Sequence, residues 1–256
     1  VVTVSPDYAD NTKFADEWLN PHPGTDGALG MAMGHVILKE FYVDRQVPQF
    51  VEYVKKYSDM PFLITLKDKD GAYVPDKFLT AADLGDDGEG AAFKTVLIDA
   101  DTGRAVVPNG SLGFRYGEAG KGKWNLDLEG IDPALSLYGA GGSENVEVHL
   151  PRFDVGQEDS EGGGVHTRGV PVVPVETIGG QRLATTVYDL MLAQYGVGRD
   201  GLPGTWPTGY DDPEPYTPAW QEEITGVPAA QAERIGGECG QNGEDAGGGS
   251  LILRGG

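Results

Sequence analysis

Residues 1–41 read VVTVSPDYADNTKFADEWLNPHPGTDGALGMAMGHVILKEF, and the reading of this stretch decides the fold. It opens on an apolar run at 1–4, which suits a strand, and then on Ser5-Pro6-Asp7-Tyr8, a polar turn that Pro6 stiffens. A short amphipathic segment follows, with Phe14, Ala15 and Trp18 on one face. Pro23-Gly24-Thr25-Asp26 then leads into Leu29, Met33, Val36 and Ile37 at helical spacing. Thr25 is the expected N-cap and Asp26 stands in the first turn of a helix of about 15 residues. The order strand, turn, helix, loop, helix is how an α/β nucleotide site is assembled.

The same residues carry a resemblance. SPDY, ADEWL, PHPGTDGAL and AMGHV, taken in order, resemble the catalytic (alpha) subunit of membrane-bound respiratory nitrate reductase, a molybdenum oxidoreductase of the dimethyl sulfoxide reductase superfamily. The similarity continues through YVKKYSDMP at 53–61 and PNGS at 108–111, and resumes with TTVYDL at 185–190 and YTPAWQEEITGV at 216–227. Residues 128–182 diverge from the pattern. The resemblance implies an α/β chain, a fragment of a molybdopterin-oxidoreductase fold with Rossmann-like α/β pieces flanking a β-rich insertion. Residues 1–60 are then the segment binding molybdopterin guanine dinucleotide, 61–184 the insertion with a flexible Gly/acidic loop, and 185–256 a helical return leading into the next α/β segment.

Composition sets limits on function. Forty acidic residues against 19 basic ones give a net charge of −21. Such a surface repels nucleic acid and anionic membranes. Beside a hydrophobic content of 39%, it reads as adaptation to high salt in preference to an acidic partner surface, and so points to the extremely halophilic archaeal branch. Cys239 is the one cysteine, so this chain builds neither an intrachain disulfide nor a cysteine-rich iron–sulfur site. No apolar run approaches the roughly 18 residues of a membrane span, and no signal peptide is present. The absence of a starting methionine and the ending LILRGG, read as a strand running into a glycine turn, give both ends the look of cuts in something larger.

Further along, residues 47–57 read as a helix with Phe50, Tyr53, Val54 and Tyr57 on one side, and 62–66 as a strand. Asp70-Gly71 marks a hairpin turn. Residues 94–98 and 104–107 read as two strands, and Trp124, Leu126 and Leu128 alternate like a third. From 139 to 180 the chain is rich in Gly, Pro and acidic residues, with a flexible loop at 161–164. Helices are expected at 185–195, from Thr217-Pro218 onward and at 229–238, with a last strand at 250–253.

Asp26 is the foremost site residue. A carboxylate accepts two parallel hydrogen bonds from the N1–H and N2–H₂ edge of guanine, a donor pair no other standard base presents. By the resemblance, the Gly-Thr-Asp turn contacts the guanine end of the dinucleotide; as an ordinary helix residue, Asp26 would merely complement the macrodipole. Ser5, Pro6, Asp7 and Tyr8 stand where a strand's carboxyl end meets a loop, the usual ligand position in such sheets. Ser5 and the backbone amides suit phosphate or ribose, and Asp7 suits a ribose hydroxyl or the base. Gly24 permits close backbone approach, and Thr25 offers a hydroxyl.

Three look-alikes are set aside. Residues 117–123, GEAGKGK, fit the core of a phosphate loop, but Trp124 replaces the Ser/Thr that holds magnesium. Residues 99–103, DADTG, imitate a calcium loop, yet Arg104 takes the turn-glycine position and Gly110 that of the bidentate Glu. His22, His35, His149 and His166 lack metal-ligand spacing, and His35 is expected to pack or bond along its helix. Asn109-Gly110-Ser111 is a formal glycosylation sequon, read as a turn. Gly27 and Gly30 weaken their helix, and the glycines of 236–243 and Gly249 have no account in sequence terms and should leave the last helix less stable.

By the resemblance, the whole enzyme reduces nitrate to nitrite at a molybdenum bis(molybdopterin guanine dinucleotide) centre, in nitrate respiration and denitrification. It also carries a [4Fe-4S] cluster and takes electrons from an iron–sulfur beta subunit. The ligands of both metals lie outside this chain, so no catalytic or metal-binding residue is named. Membrane association comes only through partner subunits, at the outer face in the halophilic archaeal type and the cytoplasmic face in the bacterial type. Reduction of selenate, chlorate or perchlorate is the near alternative, and a non-catalytic acidic binding module the distant one.

Overall fold

The computed structural model describes residues 1–8, 11–69, 71–110, 127–154 and 164–247, and these form a mixed α/β structure in two units. One unit comprises Val1–Phe50, Tyr195–Gly198 and Trp206–Gly256; the other comprises Val51–Gln194 and Arg199–Thr205.

In the first unit, β1 (Val2–Val4) pairs in parallel with β2 (Glu17–Leu19), in the register Val2↔Glu17 and Val4↔Leu19. The segment expected to be an amphipathic helix is instead a 3-10 turn, Thr12–Phe14, followed by β2, and Phe14 is 82% exposed. So short a segment cannot sustain a helix alone, whereas the open ladder of β1 captures residues 17–19. Helix α1 (Asp26–Ile37) buries Leu29, Ala32, His35 and Val36 and continues as seven π-helical residues, Leu38–Asp44, with Phe41 buried. His35 bonds across space instead of along its helix: its Nδ1 lies 2.7 Å from Tyr195 O. Helix α2 (Pro48–Tyr57) follows, one residue shorter than expected.

Tyr195, the last residue of helix α3 (Val187–Tyr195), belongs to this unit. Helix α4 (Pro218–Thr225) begins as the sequence predicts: Thr217 Oγ1 accepts from Trp220 N at 3.1 Å, and Gly226 closes the helix at φ 75°. Helix α5 (Ala229–Gly247) runs well past the expected end at 238. The glycines explain its path. A Cβ on Gly236 would stand 3.1 Å from Val36 Cβ, one on Gly243 2.9 Å from Phe50 Cζ, and one on Gly240 would overlap the Phe41 ring. Residues 236, 240 and 243 share one helix face, and glycine there lets α5 lie close to Val36 of α1, Phe41 of the π-helical segment and Phe50 of α2. The core beneath is Leu19, Leu29, Val227, Ala232 and Ile235. Gly27 and Gly30 have open space around them and gain no such compensation.

The second unit holds a closed barrel in the order β3-β4-β7-β8-β9. Strands β3 (Leu63–Lys69) and β4 (Ala72–Phe78) form the expected hairpin, closing at Lys69↔Ala72 with Gly71 at φ 87°. The small pair β5 (Leu97–Asp99) and β6 (Arg104–Val106) also matches expectation. Its turn is held internally, because Asp99 Oδ2 accepts from Thr102 Oγ1 at 2.7 Å and Oδ1 from Asp132 N at 3.1 Å.

The stretch 139–180, read as Gly/Pro-rich and loop-bearing, carries β7 (Glu144–Pro151) and the longest strand, β8 (Val165–Thr177); β9 (Gly180–Thr186) completes the barrel. Val148, Leu150, Val170 and Val172 are buried, an apolar pattern that Pro171 and Pro174 disguise. Leu63, Leu79, Val96, Leu137 and Ala184 form a core cluster beside the barrel wall. Four expectations lie outside the described residues: the look-alike at 117–123, the strand start at 124–126, loop residues 161–163 and the strand at 250–253. So do Ser111 of the sequon and Gly249.

Candidate cofactor-binding edge

Parallel pairing of β1 and β2 sets both carboxyl ends side by side, and Ser5 N donates to Leu19 O at 3.0 Å just past the ladder. The first turn singled out in sequence, residues 5–8, leaves this edge directly, and the second, residues 24–26, follows β2 after the short connection 20–23. In α/β proteins that edge is where ligands bind.

The first turn is locked from within. Ser5 Oγ donates to Asp7 Oδ1 at 2.9 Å, so the hydroxyl proposed for phosphate is already committed to the turn. Pro6, Asp7 and Tyr8 are exposed and Ser5 is half-buried. Trp18, which sequence reading placed only on a packing face, proves to be the support: its indole N–H donates to Ser5 O at 2.8 Å. Its ring also meets Tyr8 edge-on at 5.5 Å, although Tyr8 remains 64% exposed.

The second turn corrects one expectation. Thr25 occupies the N-cap position, yet its hydroxyl makes no capping bond and donates to His22 O at 2.7 Å. The turn folds back tightly enough for His22 O to accept from Thr25 N as well, at 3.1 Å. Gly24 takes φ 81°, a conformation that favours glycine, with no atom within 4 Å of where a Cβ would stand. Asp26 is exposed in the first turn of α1. In the first turn of that helix Ala28 N turns back to Thr25 O at 2.9 Å, and the N–H groups before it have no acceptor four residues back, which favours an anion or a carbonyl-rich ligand there. The edge thus offers two exposed carboxylates, an open glycine and helix-start donors. That set fits the polar end of a nucleotide. Among the described residues no cluster of three or more His, Cys, Asp or Glu side chains is arranged to hold a metal ion.

Comparison with known proteins bears on the same stretch. The family model for molybdopterin oxidoreductase matches residues 1–155. This chain belongs to the molybdopterin oxidoreductase family. The family implies a molybdenum–pterin cofactor. The nitrate reductase alpha subunit of Mycobacterium tuberculosis (strain CDC 1551 / Oshkosh) is 58% identical to this chain over all of it, covering 21% of that relative. The respiratory nitrate reductase 1 alpha chain of Escherichia coli K12 is 42% identical over 99% of the chain and 21% of the relative. The respiratory nitrate reductase subunit alpha of the archaeon Haloferax mediterranei is 32% identical over 60% of the chain and 14% of its own length. The chain thus spans about a fifth of the bacterial relatives it matches. The bacterial matches being the stronger, the expected halophilic archaeal origin gains no support. Among the described residues no helix is long and apolar enough to cross a membrane.

Proposed function

We propose that this chain is part of the catalytic subunit of a respiratory nitrate reductase, which reduces nitrate to nitrite. The observation that carries the reading is the 58% identity to a nitrate reductase alpha subunit in a match that covers the whole chain. In this reading the cofactor is molybdenum bis(molybdopterin guanine dinucleotide), which when bound and reduced would give two electrons to nitrate and accept the oxygen atom that leaves it.

The residues of this chain do the holding. Asp26 accepts the N1–H and N2–H₂ edge of guanine, and Gly24 lets the backbone approach the ligand. The first-turn amides of α1 and the locked turn at Ser5, Pro6, Asp7 and Tyr8 line the ribose and phosphate. Thr25 acts through the backbone of its turn. Residues 1–60 are the dinucleotide segment, 61–184 the β-rich insertion and 185–256 the helical return. The [4Fe-4S] cluster, the molybdenum ligands and the iron–sulfur beta subunit lie beyond this chain. The likeness to bacterial relatives favours the cytoplasmic face of the membrane, reached through partner subunits. The net charge of −21 makes a surface that salt stabilises by screening self-repulsion.

The test is direct. The full-length protein containing this chain is purified, its molybdenum is assayed, and nitrite formation from nitrate is followed with a reduced viologen dye. Molybdenum together with nitrite formation supports the assignment. Absence of molybdenum from active-looking, folded protein overturns it.

A further inference from the structure

His22 is shared between the candidate turn and a distant helix end. Its backbone N–H donates to Thr225 O at 2.9 Å, and its ring Nδ1 lies 3.1 Å from Ile224 O. A carbonyl only accepts, so Nδ1 must carry a proton and donate, in the neutral ring as in the charged one. These two carbonyls belong to the last turn of α4, where the helix itself supplies no donors. On its other side, His22 O accepts from both Thr25 N and Thr25 Oγ1. Gly226 makes the approach possible: at φ 75° it caps α4, and a Cβ there would stand 3.0 Å from His22 Nε2. His22 is exposed, so hydrogen bonds and not burial hold it in place.

We propose that His22 is a positioning residue for the guanine-binding turn. By bridging the last carbonyls of α4 to Thr25, it fixes the direction in which Gly24 presents its backbone and Asp26 its carboxylate. The inference rests on the proposed nucleotide role of residues 24–26. It extends that role from a local sequence motif to a clamp closed from some 200 residues away. Without the ring bond, the turn keeps its inner contacts to Thr25 but loses half of its anchorage to α4.

The experiment compares wild type, His22→Leu, His22→Asn and Asp26→Ala in the full-length protein. The cofactor still held per protein is followed through a mild urea challenge, its guanine read as guanosine monophosphate after acid hydrolysis of the retained fraction, alongside the thermal midpoint. His22→Leu should lose nucleotide about fivefold faster than wild type, the equivalent of one hydrogen bond. His22→Asn, whose amide N–H stands where Nδ1 stood, should restore most of the retention. Wild-type retention in His22→Leu beside loss in Asp26→Ala would overturn the positioning role and leave the nucleotide site standing. Equal loss in His22→Leu and His22→Asn would also overturn it, since the donor would not be what matters. Wild-type retention in Asp26→Ala would remove the nucleotide site itself, and this inference with it.

Discussion

Gly240 on α5 faces the ring of Phe41 so closely that a Cβ on residue 240 would overlap the ring carbons, while Phe41 is itself 1% exposed. Phe41 has nowhere to retreat, because Arg45 covers it with its guanidinium 4.0 Å from the ring centroid and Phe50 packs at 5.9 Å. Replacing Gly240 by alanine should therefore cost about 1–3 kcal/mol through overpacking, despite the gain in helix propensity. Gly237→Ala is the control, since a Cβ there meets only Glu40 Oε2 at 3.6 Å. Thermal melts should show a lower midpoint for Gly240→Ala and an unchanged or higher one for Gly237→Ala. The reverse order would contradict the packing account.

Asp189 lies fully buried in the second unit and accepts from Ser136 Oγ at 2.6 Å, Leu137 N at 2.9 Å and Thr186 Oγ1 at 3.0 Å. Arg199 Nη2 stands 2.8 Å from it, 9% exposed. Asp189→Asn would turn an amide N–H₂ toward donors and strand the arginine charge. A loss of about 3–5 kcal/mol is expected, read as a lower urea midpoint. A change under about 1 kcal/mol would mean that the pair contributes little.

Stability should fall with acid through His166. Burial first, then the charges of Arg168 and Arg152, push its pKa down to about 3 from 6.5. The folded state thus resists a proton that the unfolded state takes up, so stability is fully present above pH 6.5 and declines as the pH drops toward 3. Urea midpoints measured from pH 7 to 4.5 should fall more steeply in wild type than in His166→Gln, by up to one proton's worth of slope. Parallel profiles would contradict the assignment.

What could be read in advance follows physical locality. Strand β1, helices α1 and α2, the β5–β6 hairpin and the start of α4 were legible because caps, turns and periodicity are written in adjacent residues. Thr217-Pro218 is the clearest case, since proline and the cap act within one turn. Thr25 shows the limit: the residue type was right for a cap, but the fold-back onto His22 O diverted its hydroxyl. The barrel was hidden because Pro171 and Pro174 look like breakers, and because pairs such as Leu63↔Thr186 are set by the whole unit and not by neighbours. The glycines of α5 looked superfluous until Val36, Phe41 and Phe50 were seen to face them. At the candidate edge, the first-turn place of Asp26 and the positive φ of Gly24 follow from residue type and spacing. The supports Trp18 and His22 do not, because their partners lie 13 and 202 residues away.

The central claim is that the edge formed by residues 5–8 and 24–26 holds the guanine end of a molybdenum–pterin dinucleotide. The most direct measurement is guanosine monophosphate released by acid hydrolysis per full-length protein, wild type beside Asp26→Ala, with both variants shown to be equally folded. The account predicts nucleotide in the wild type and a clear deficit in the variant, with nitrite formation falling in step. Equal nucleotide content in the two would contradict it, leaving Asp26 as a residue that merely complements the start of α1.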